Sequence, residues 1–365
     1  MNSFFDSKKG LLVIGLILGG LAAVLAATGN PGNMAICAAC FIRDTVGALG
    51  LHTAAKLQYI RPEIIGFILG AFIIALATKE FRATIGSKPI IRFILGFIMM
   101  IGCLVFLGCP LRMVIRLSAG DLNAVVGLVG FLLGVGTGCF FLKKGFSLGR
   151  AKNINQAAGY TFPAIAVILL ILAFTGIAYA STEGPGSMHA PLIVALTVGL
   201  IFGALAQRSR LCFGGAFRDV MLLKDWHLFS IVGGLFIIML IYNIATDGFH
   251  LSFADQPIAH SAHIWNLLGM YAVGLSVVLA SGCPLRQMVM SGQGNLDAGI
   301  TFLGLAAGAA FCHRFGWAAS TYSIDDAGNF VQGGVTTAGA VALLVGIAVL
   351  LVIGFAYSRK KTVAK

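Results

Sequence analysis

Two stretches of this chain place a thiol beside a backbone break. They are Gly108-Cys109-Pro110-Leu111-Arg112 and Gly282-Cys283-Pro284-Leu285-Arg286. Glycine permits an unusual turn, and proline suits the first position of a new helix, where its missing N–H costs nothing. Cys109 and Cys283 are thus expected as N-caps of short helices, at the positive end of the dipole and beside unpaired N–H groups. Such a place attracts anions, and Arg112 and Arg286 add positive charge within the first turn. The chemistry indicated is binding of something anionic and compatible with a thiol. A single copy could be a kink holding a small buried cysteine. Two copies, each with arginine at the same spacing, argue against that reading.

A second pair of stretches runs Cys37-Ala38-Ala39-Cys40-Phe41-Ile42-Arg43-Asp44 and Cys212-Phe213-Gly214-Gly215-Ala216-Phe217-Arg218-Asp219. An arginine inside a membrane protein is expensive and marks either a pathway or an ion pair. Arg43 and Arg218 can therefore contact a substrate or be neutralised by Asp44 and Asp219. Cys37-x-x-Cys40 also has the spacing of thiol–disulfide centres, although the second copy carries Gly215 in place of the second cysteine. Cys103, Cys139 and Cys312 sit in apolar sequence without a motif and are expected to pack. His260-x-x-His263, with His250 nearby, could hold a metal but reads more simply as ordinary loop residues. The chain has no Gly-rich nucleotide loop, no zinc-protease motif and no serine nucleophile elbow, and no metal or cofactor is expected.

The elements that position these residues are membrane helices. The chain has 365 residues, of which 58% are hydrophobic and 10% charged, whereas a soluble chain carries roughly 25% charged residues. Apolar blocks near the ~20 residues needed to cross a bilayer fall at 11–28, 63–78, 91–107, 122–142, 160–180, 190–206, 228–245, 264–280, 297–313 and 338–357. Four shorter segments, near 34–44, 109–118, 211–222 and 283–291, are expected as half-helices that enter and leave on one side. The first block follows Lys8-Lys9 and resembles a signal peptide. Its length and the membranous body behind it favour a retained helix.

With ten crossings, one side collects Lys8, Lys9, Lys79, Arg82, Lys88, Arg92, Lys143, Lys144, Arg150, Lys152, Arg208, Arg210, Lys224, Arg359, Lys360, Lys361 and Lys365. The other side has only Lys56, Arg61 and Arg314. This bias predicts cytoplasmic termini. It also accounts for the net charge of +12 without nucleic acid, for which no soluble basic domain exists. The motifs repeat at an offset of 174 or 175 residues, and Gly120-Asp121-Leu122-Asn123-Ala124 keeps it against Gly294-Asn295-Leu296-Asp297-Ala298. Two halves, 1–183 and 184–365, each with five spans, must be inserted with opposite sense. The expected fold is an all-α polytopic membrane protein of about ten spans plus four half-helices in two inverted repeats, the plan of many transporters. Asp121 and Asp297 are candidate proton carriers.

At "QRSRLCFGGAFRD" (Gln207–Asp219) and "GCPLR" (108–112 and 282–286) the chain resembles the YeeE/YedE family of membrane transporters, over nearly its whole length. Within it, the chain looks closest to the YedE-related selenium metabolism membrane proteins. Half-length members of the family fit the duplication. The resemblance implies uptake of thiosulfate or a related sulfur or selenium anion at the bacterial inner membrane, with Cys37, Cys109, Cys212 and Cys283 as pathway thiols. Gly108, Pro110, Gly282 and Pro284 would break the helices, and Arg112, Arg286, Arg43 and Arg218 would supply charge. The expected partners are the anion, the bilayer and a cytoplasmic sulfur or selenium carrier protein. A membrane thiol–disulfide oxidoreductase using Cys37 and Cys40 is the alternative.

Overall fold

A computed structural model describes residues 4–5, 7–86, 88–324, 330–331 and 333–358. Arg359, Lys360, Lys361 and Lys365, counted above on the basic side, lie outside them. In chain order the helices are α1 (Lys8–Ala27), α2 (Ala38–Ala48), α3 (Pro62–Ala77), α4 (Pro89–Phe106), α5 (Pro110–Ser118), α6 (Leu122–Lys143), α7 (Gln156–Gly159), α8 (Thr161–Thr175), α9 (Leu192–Arg208), α10 (Phe213–Leu223), α11 (His227–Ala245), α12 (His263–Leu279), α13 (Pro284–Gly292), α14 (Leu296–Arg314) and α15 (Thr337–Ala356). A 3-10 turn at Ala55–Leu57 and four two-residue strands complete the described elements: β1 (Thr84–Ile85) pairs with β2 (Lys152–Asn153), and β3 (Ser323–Ile324) with β4 (Phe330–Val331).

Among the described residues, ten helical stretches are long and apolar enough to cross a membrane. The chain is an all-α, multi-pass membrane protein. Its burial pattern agrees: large apolar side chains such as Leu133, Ile168, Ile193 and Val352 are exposed, while Arg43, Arg61, Arg112 and Arg116 are fully enclosed. Lipid accepts the first group, and only protein or a watery cavity accepts the second.

Proline opens α3, α4, α5 and α13, where its fixed φ is pre-set for a helix. Side-chain oxygens cap others: Asp121 accepts from the Asn123 N–H at α6, and Asn295 from the Ala298 N–H at α14. The long helices associate in pairs drawn from the two halves of the chain: α1 with α11, α3 with α9, α4 with α14, and α6 with α12. Small residues set these pairs. A Cβ placed on Gly66 of α3 would lie 2.6 Å from the Gly199 carbonyl carbon of α9, so the two backbones touch with no side chain between them.

The matching offset recurs in the backbone. Leu107 and Ser281, each two residues before a motif cysteine, have φ of 61° and 60°. Ala35 and Arg210, each two residues before Cys37 and Cys212, have φ of 36° and 54°. These are left-handed values that non-glycine residues rarely adopt, so the turn into every short helix is imposed by the surrounding fold. Asp121 bridges Ser252, and its counterpart Asn295 bridges Thr84, each reaching into the other half of the chain.

Interactions between loops define two faces. On the basic face Arg208 pairs with Glu80 and stacks over Phe5, Lys88 lies over Tyr357, and Lys144 over Phe355. The flanks of α10 and α13 are held there, with the Thr84 N–H donating to the Gly294 carbonyl. On the opposite face the flanks of α2 and α5 are held. Tyr179 N–H donates to the Ala48 carbonyl, and Ser252 N–H to that of Gly120. The first short helix is displaced from its expected place: it spans Ala38–Ala48 rather than 34–44. Residues 34–37 form the irregular approach, because Cys37 itself is the cap. Arg61, counted as a loop charge, is fully buried.

Candidate functional site

All four motif cysteines are N-caps. Cys109 and Cys283 have extended backbone, with Pro110 and Pro284 in the first turn of the helices they precede. Cys37 and Cys212 cap through their sulfurs, which accept from the Cys40 N–H (3.3 Å) and the Gly215 N–H (3.2 Å). The sequence had indicated caps only where proline follows. At Cys37 and Cys212 the signal was weaker, a cysteine ahead of small residues.

The sulfurs gather in two groups. In the first, Cys37 Sγ lies 2.9 Å from Cys40 Sγ and 3.9 Å from Cys109 Sγ, all three as buried free thiols. Arg112 stands over this group, with Nη1 3.6 Å from Cys40 Sγ. Its other bonds go to backbone: Nε to the Asn33 carbonyl (3.0 Å), Nη2 to that of Ile258 (3.2 Å), and Nη1 to that of Leu107. In the second group the Cys283 N–H donates to Cys212 Sγ at 3.4 Å, so an N-terminal helix amide faces a sulfur. The groups interlock through their helices: α2 packs against α13, and α10 against α5.

Six buried or half-buried arginines have carboxylate partners, Arg208 with Glu80 among them. Arg43 donates to Asp44 Oδ1 (2.6 Å) and Arg61 to Asp44 Oδ2 (2.8 Å), making a closed triad. Arg61 also reaches the Pro185 and Met188 carbonyls at 2.7 and 3.1 Å. Arg218 pairs with Asp219 at 2.7 Å, half open to the surroundings and with no third member among the described residues. Arg116 pairs with Asp121 at 2.6 Å and lies over the Phe106 ring. Asp297, the other candidate proton carrier, faces Arg92 at 3.3 Å. Among the described residues, Arg112 and Arg286 have no carboxylate partner.

A cavity opens toward each face. The one on the opposite face, about 310 Å³, is lined by Arg43, Lys56, Leu104, Leu107, Ile258 and His313, with Cys312 also at its wall. Leu107 and Ile258 are residues whose carbonyls hold Arg112, so this cavity reaches the backbone that anchors that side chain. The one on the basic face, about 400 Å³, contains Arg286 together with Arg82 and Arg210. The His260 ring donates from Nε2 to the Val105 carbonyl (2.7 Å) and accepts at Nδ1 from the Ala262 N–H (3.2 Å). Burial pushes its pKa down to about 4, against an upward pull from the Val105 carbonyl. It therefore ties a loop to α4. No cluster of three metal-ligating side chains occurs among the described residues.

Sequence reasoning missed Arg61, Arg116 and Arg210. Arg210 carried a signal, since it replaces Ala35 two residues before the repeated cysteine. Arg61 carried none, because its partners at Asp44 and in the 185–188 loop are distant in sequence.

Fold and site together define a multi-pass membrane protein built around cysteine-capped half-helices. Residues 208–365, in the second half of the chain, match the model of the family described as Sulphur transport. It is 31% identical over 156 residues to the thiosulfate transporter TsuA of Spirochaeta thermophila, covering 40% of this chain and 46% of that protein. Against the thiosulfate transporter TsuA of Escherichia coli it is 24% identical over 117 residues, covering 31% of this chain and 32% of the relative. The matched stretch thus spans less than half of either relative.

Proposed function

We propose that the protein carries a small sulfur- or selenium-containing anion, thiosulfate-like in charge and size, across the bacterial inner membrane. The observation that carries this reading is the placing of Arg112 and Arg286, neither of which has a carboxylate partner among the described residues, in the first turns of the helices that Cys109 and Cys283 cap. A helix N-terminus and a guanidinium attract the anion, and soft sulfur atoms offer it weak contacts that it can leave. Cys37, Cys109, Cys212 and Cys283 form the relay, and Arg43 and Arg218 stand near its ends. The names of the two relatives support a thiosulfate-like cargo. The resemblance in sequence supports selenium.

The halves 1–183 and 184–365 act as inverted repeats in this scheme. Support comes from the matched left-handed residues and from the crossed bridges at Asp121 and Asn295. The basic face is cytoplasmic, by the distribution of lysine and arginine, and a cytoplasmic carrier protein receives the cargo there. Serine at Cys109 or Cys283 keeps size and polarity but removes the soft sulfur. Uptake of labelled thiosulfate or selenium into cells is expected to fall about tenfold or more in either variant, equivalent to about 1.4 kcal/mol. Unchanged uptake would sink the relay.

The 2.9 Å approach of Cys37 and Cys40 favours a second reading, a membrane thiol–disulfide oxidoreductase. Each turnover would release two protons and two electrons to a quinone or partner disulfide as the Cys37–Cys40 bond forms. Thiol trapping before and after oxidation decides it: a pair that stays reduced under every oxidant rules this reading out.

A further inference from the structure

The cavity on the basic face has a composition that the sulfur relay does not account for. Its walls are Glu80, Arg82, Thr84, Arg210, Arg286, Gln293 and Asn295, around a volume of about 400 Å³. Arg286 forms the deep end. Its Nη1 is buried without any hydrogen-bond partner, a costly state for a charged donor. Arg210 and Arg82 stand at the exposed mouth, and neither has an ion-pair partner among the described residues. The single carboxylate of the wall is already engaged: Glu80 Oε1 accepts from Arg208 at 2.8 Å, and Oε2 from Gln207 at 2.6 Å.

Three guanidinium groups therefore share one polar cavity with no free counter-charge. Like charges held together repel unless an anion joins them. The backbone enforces the crowding, since Arg210 is held at φ 54° in a left-handed turn fixed by the fold. Neutral donors complete the wall. The Asn295 oxygen is occupied by the Ala298 N–H, which leaves its amide nitrogen to donate, and Gln293 and Thr84 stand beside it. Planar guanidinium forks match ligands that present several oxygens, which distinguishes an oxyanion from chloride.

We propose that this vestibule is a second binding site, which shares Arg286 with the relay but uses no thiol, for a divalent tetrahedral sulfur oxyanion, with Arg286, Arg210 and Arg82 as its ligands. The choice of a sulfur oxyanion rests on the transport reading above. The site itself rests on the three arginines. It would hold cargo at the mouth of the pathway by charge alone. An anionic lipid headgroup offers the same chemistry from another source.

The test is calorimetric titration of the full chain in phosphatidylcholine nanodiscs with sodium sulfate and with sodium thiosulfate, at constant ionic strength in chloride. Sulfate lacks the terminal sulfur and so reports the arginines without the relay. Both anions are expected to bind. Arg210→Gln and Arg82→Gln, at the exposed mouth, should each weaken sulfate binding by about tenfold, the scale of one charged hydrogen bond. Arg286→Lys keeps the charge but loses the fork, and should weaken it by several-fold. Lys144→Gln, a basic-face charge outside the cavity, should leave sulfate affinity within about twofold. No sulfate binding, or an affinity unmoved by Arg210→Gln, overturns the proposal. So does sulfate binding abolished by adding phosphatidylglycerol to the discs, which would assign the cavity to lipid. Sulfate binding in a protein that supports no uptake would instead refute the transport reading alone.

Discussion

At the scale of single residues, equivalent arginines have unequal fates. Asp44 joins two fully buried guanidinium groups, whereas Asp219 joins one that is half open. Removing one partner of a buried ion pair leaves an uncompensated charge, which costs about 3–5 kcal/mol, while exposed pairs contribute about 0–1 kcal/mol. Asp44→Asn is therefore expected to lower the melting temperature sharply or abolish expression, and Asp219→Asn to shift it by little. Equal shifts in detergent melts would contradict the triad. His260 gives a pH dependence of definite sign. Its folded pKa is about 4, because of burial first, against an ordinary value of 6.5. The unfolded chain thus takes up a proton on this ring that the folded chain refuses. The contribution is whole above about pH 6.5 and is lost as pH falls toward 4. His260→Gln keeps a donor for Val105 without a titrating ring, so the fall in melting temperature between pH 7 and pH 5 should shrink in that variant.

At the scale of elements, the ten spans and the four short helices were legible because glycine, proline and cysteine interrupt an otherwise continuous apolar pattern. The pairing of Arg43 with Asp44 was legible too, since the partners are adjacent. What stayed hidden was contact between backbone and distant side chain. Nothing near Arg112 in sequence points to carbonyls at Asn33 and Ile258, and a carbonyl looks alike on every residue. The start of α2 was misplaced for a related reason: a sulfur cap without proline has no strong signature. Helix pairing rests on glycine contact, which gives a graded test. At Gly199 a Cβ meets Glu63 and Gly66 of α3, whereas at Gly20 nothing lies within 4 Å. Gly199→Leu should separate α3 from α9 and cost about 1–3 kcal/mol or more, as overpacking does. Gly20→Leu should be silent in size-exclusion and melting profiles.

At the scale of the whole molecule, the lysines and arginines that flank the spans gather on one face, the face that holds the described ends of the chain near Phe5 and Tyr357. All eight cysteines are buried, so a single introduced thiol can report sidedness over a low background. With the basic face cytoplasmic, a membrane-impermeant maleimide should label Ser187→Cys in intact cells and Asn155→Cys only after lysis. The reverse pattern would turn the molecule over.

The closed triad at Asp44 and the half-open pair at Asp219 leave the two faces unlike. An uncoupled passage cannot favour one sense of net flow on that account, since at equal electrochemical potential the two unidirectional rates must balance. It can still respond differently to concentration on its two sides. A mouth whose ion pair is sealed must rearrange before it accepts an anion, and one that is already loose need not. If the chain transports an anion as proposed, the concentration that half-saturates transport should accordingly be higher on the face of Asp44 than on the face of Asp219.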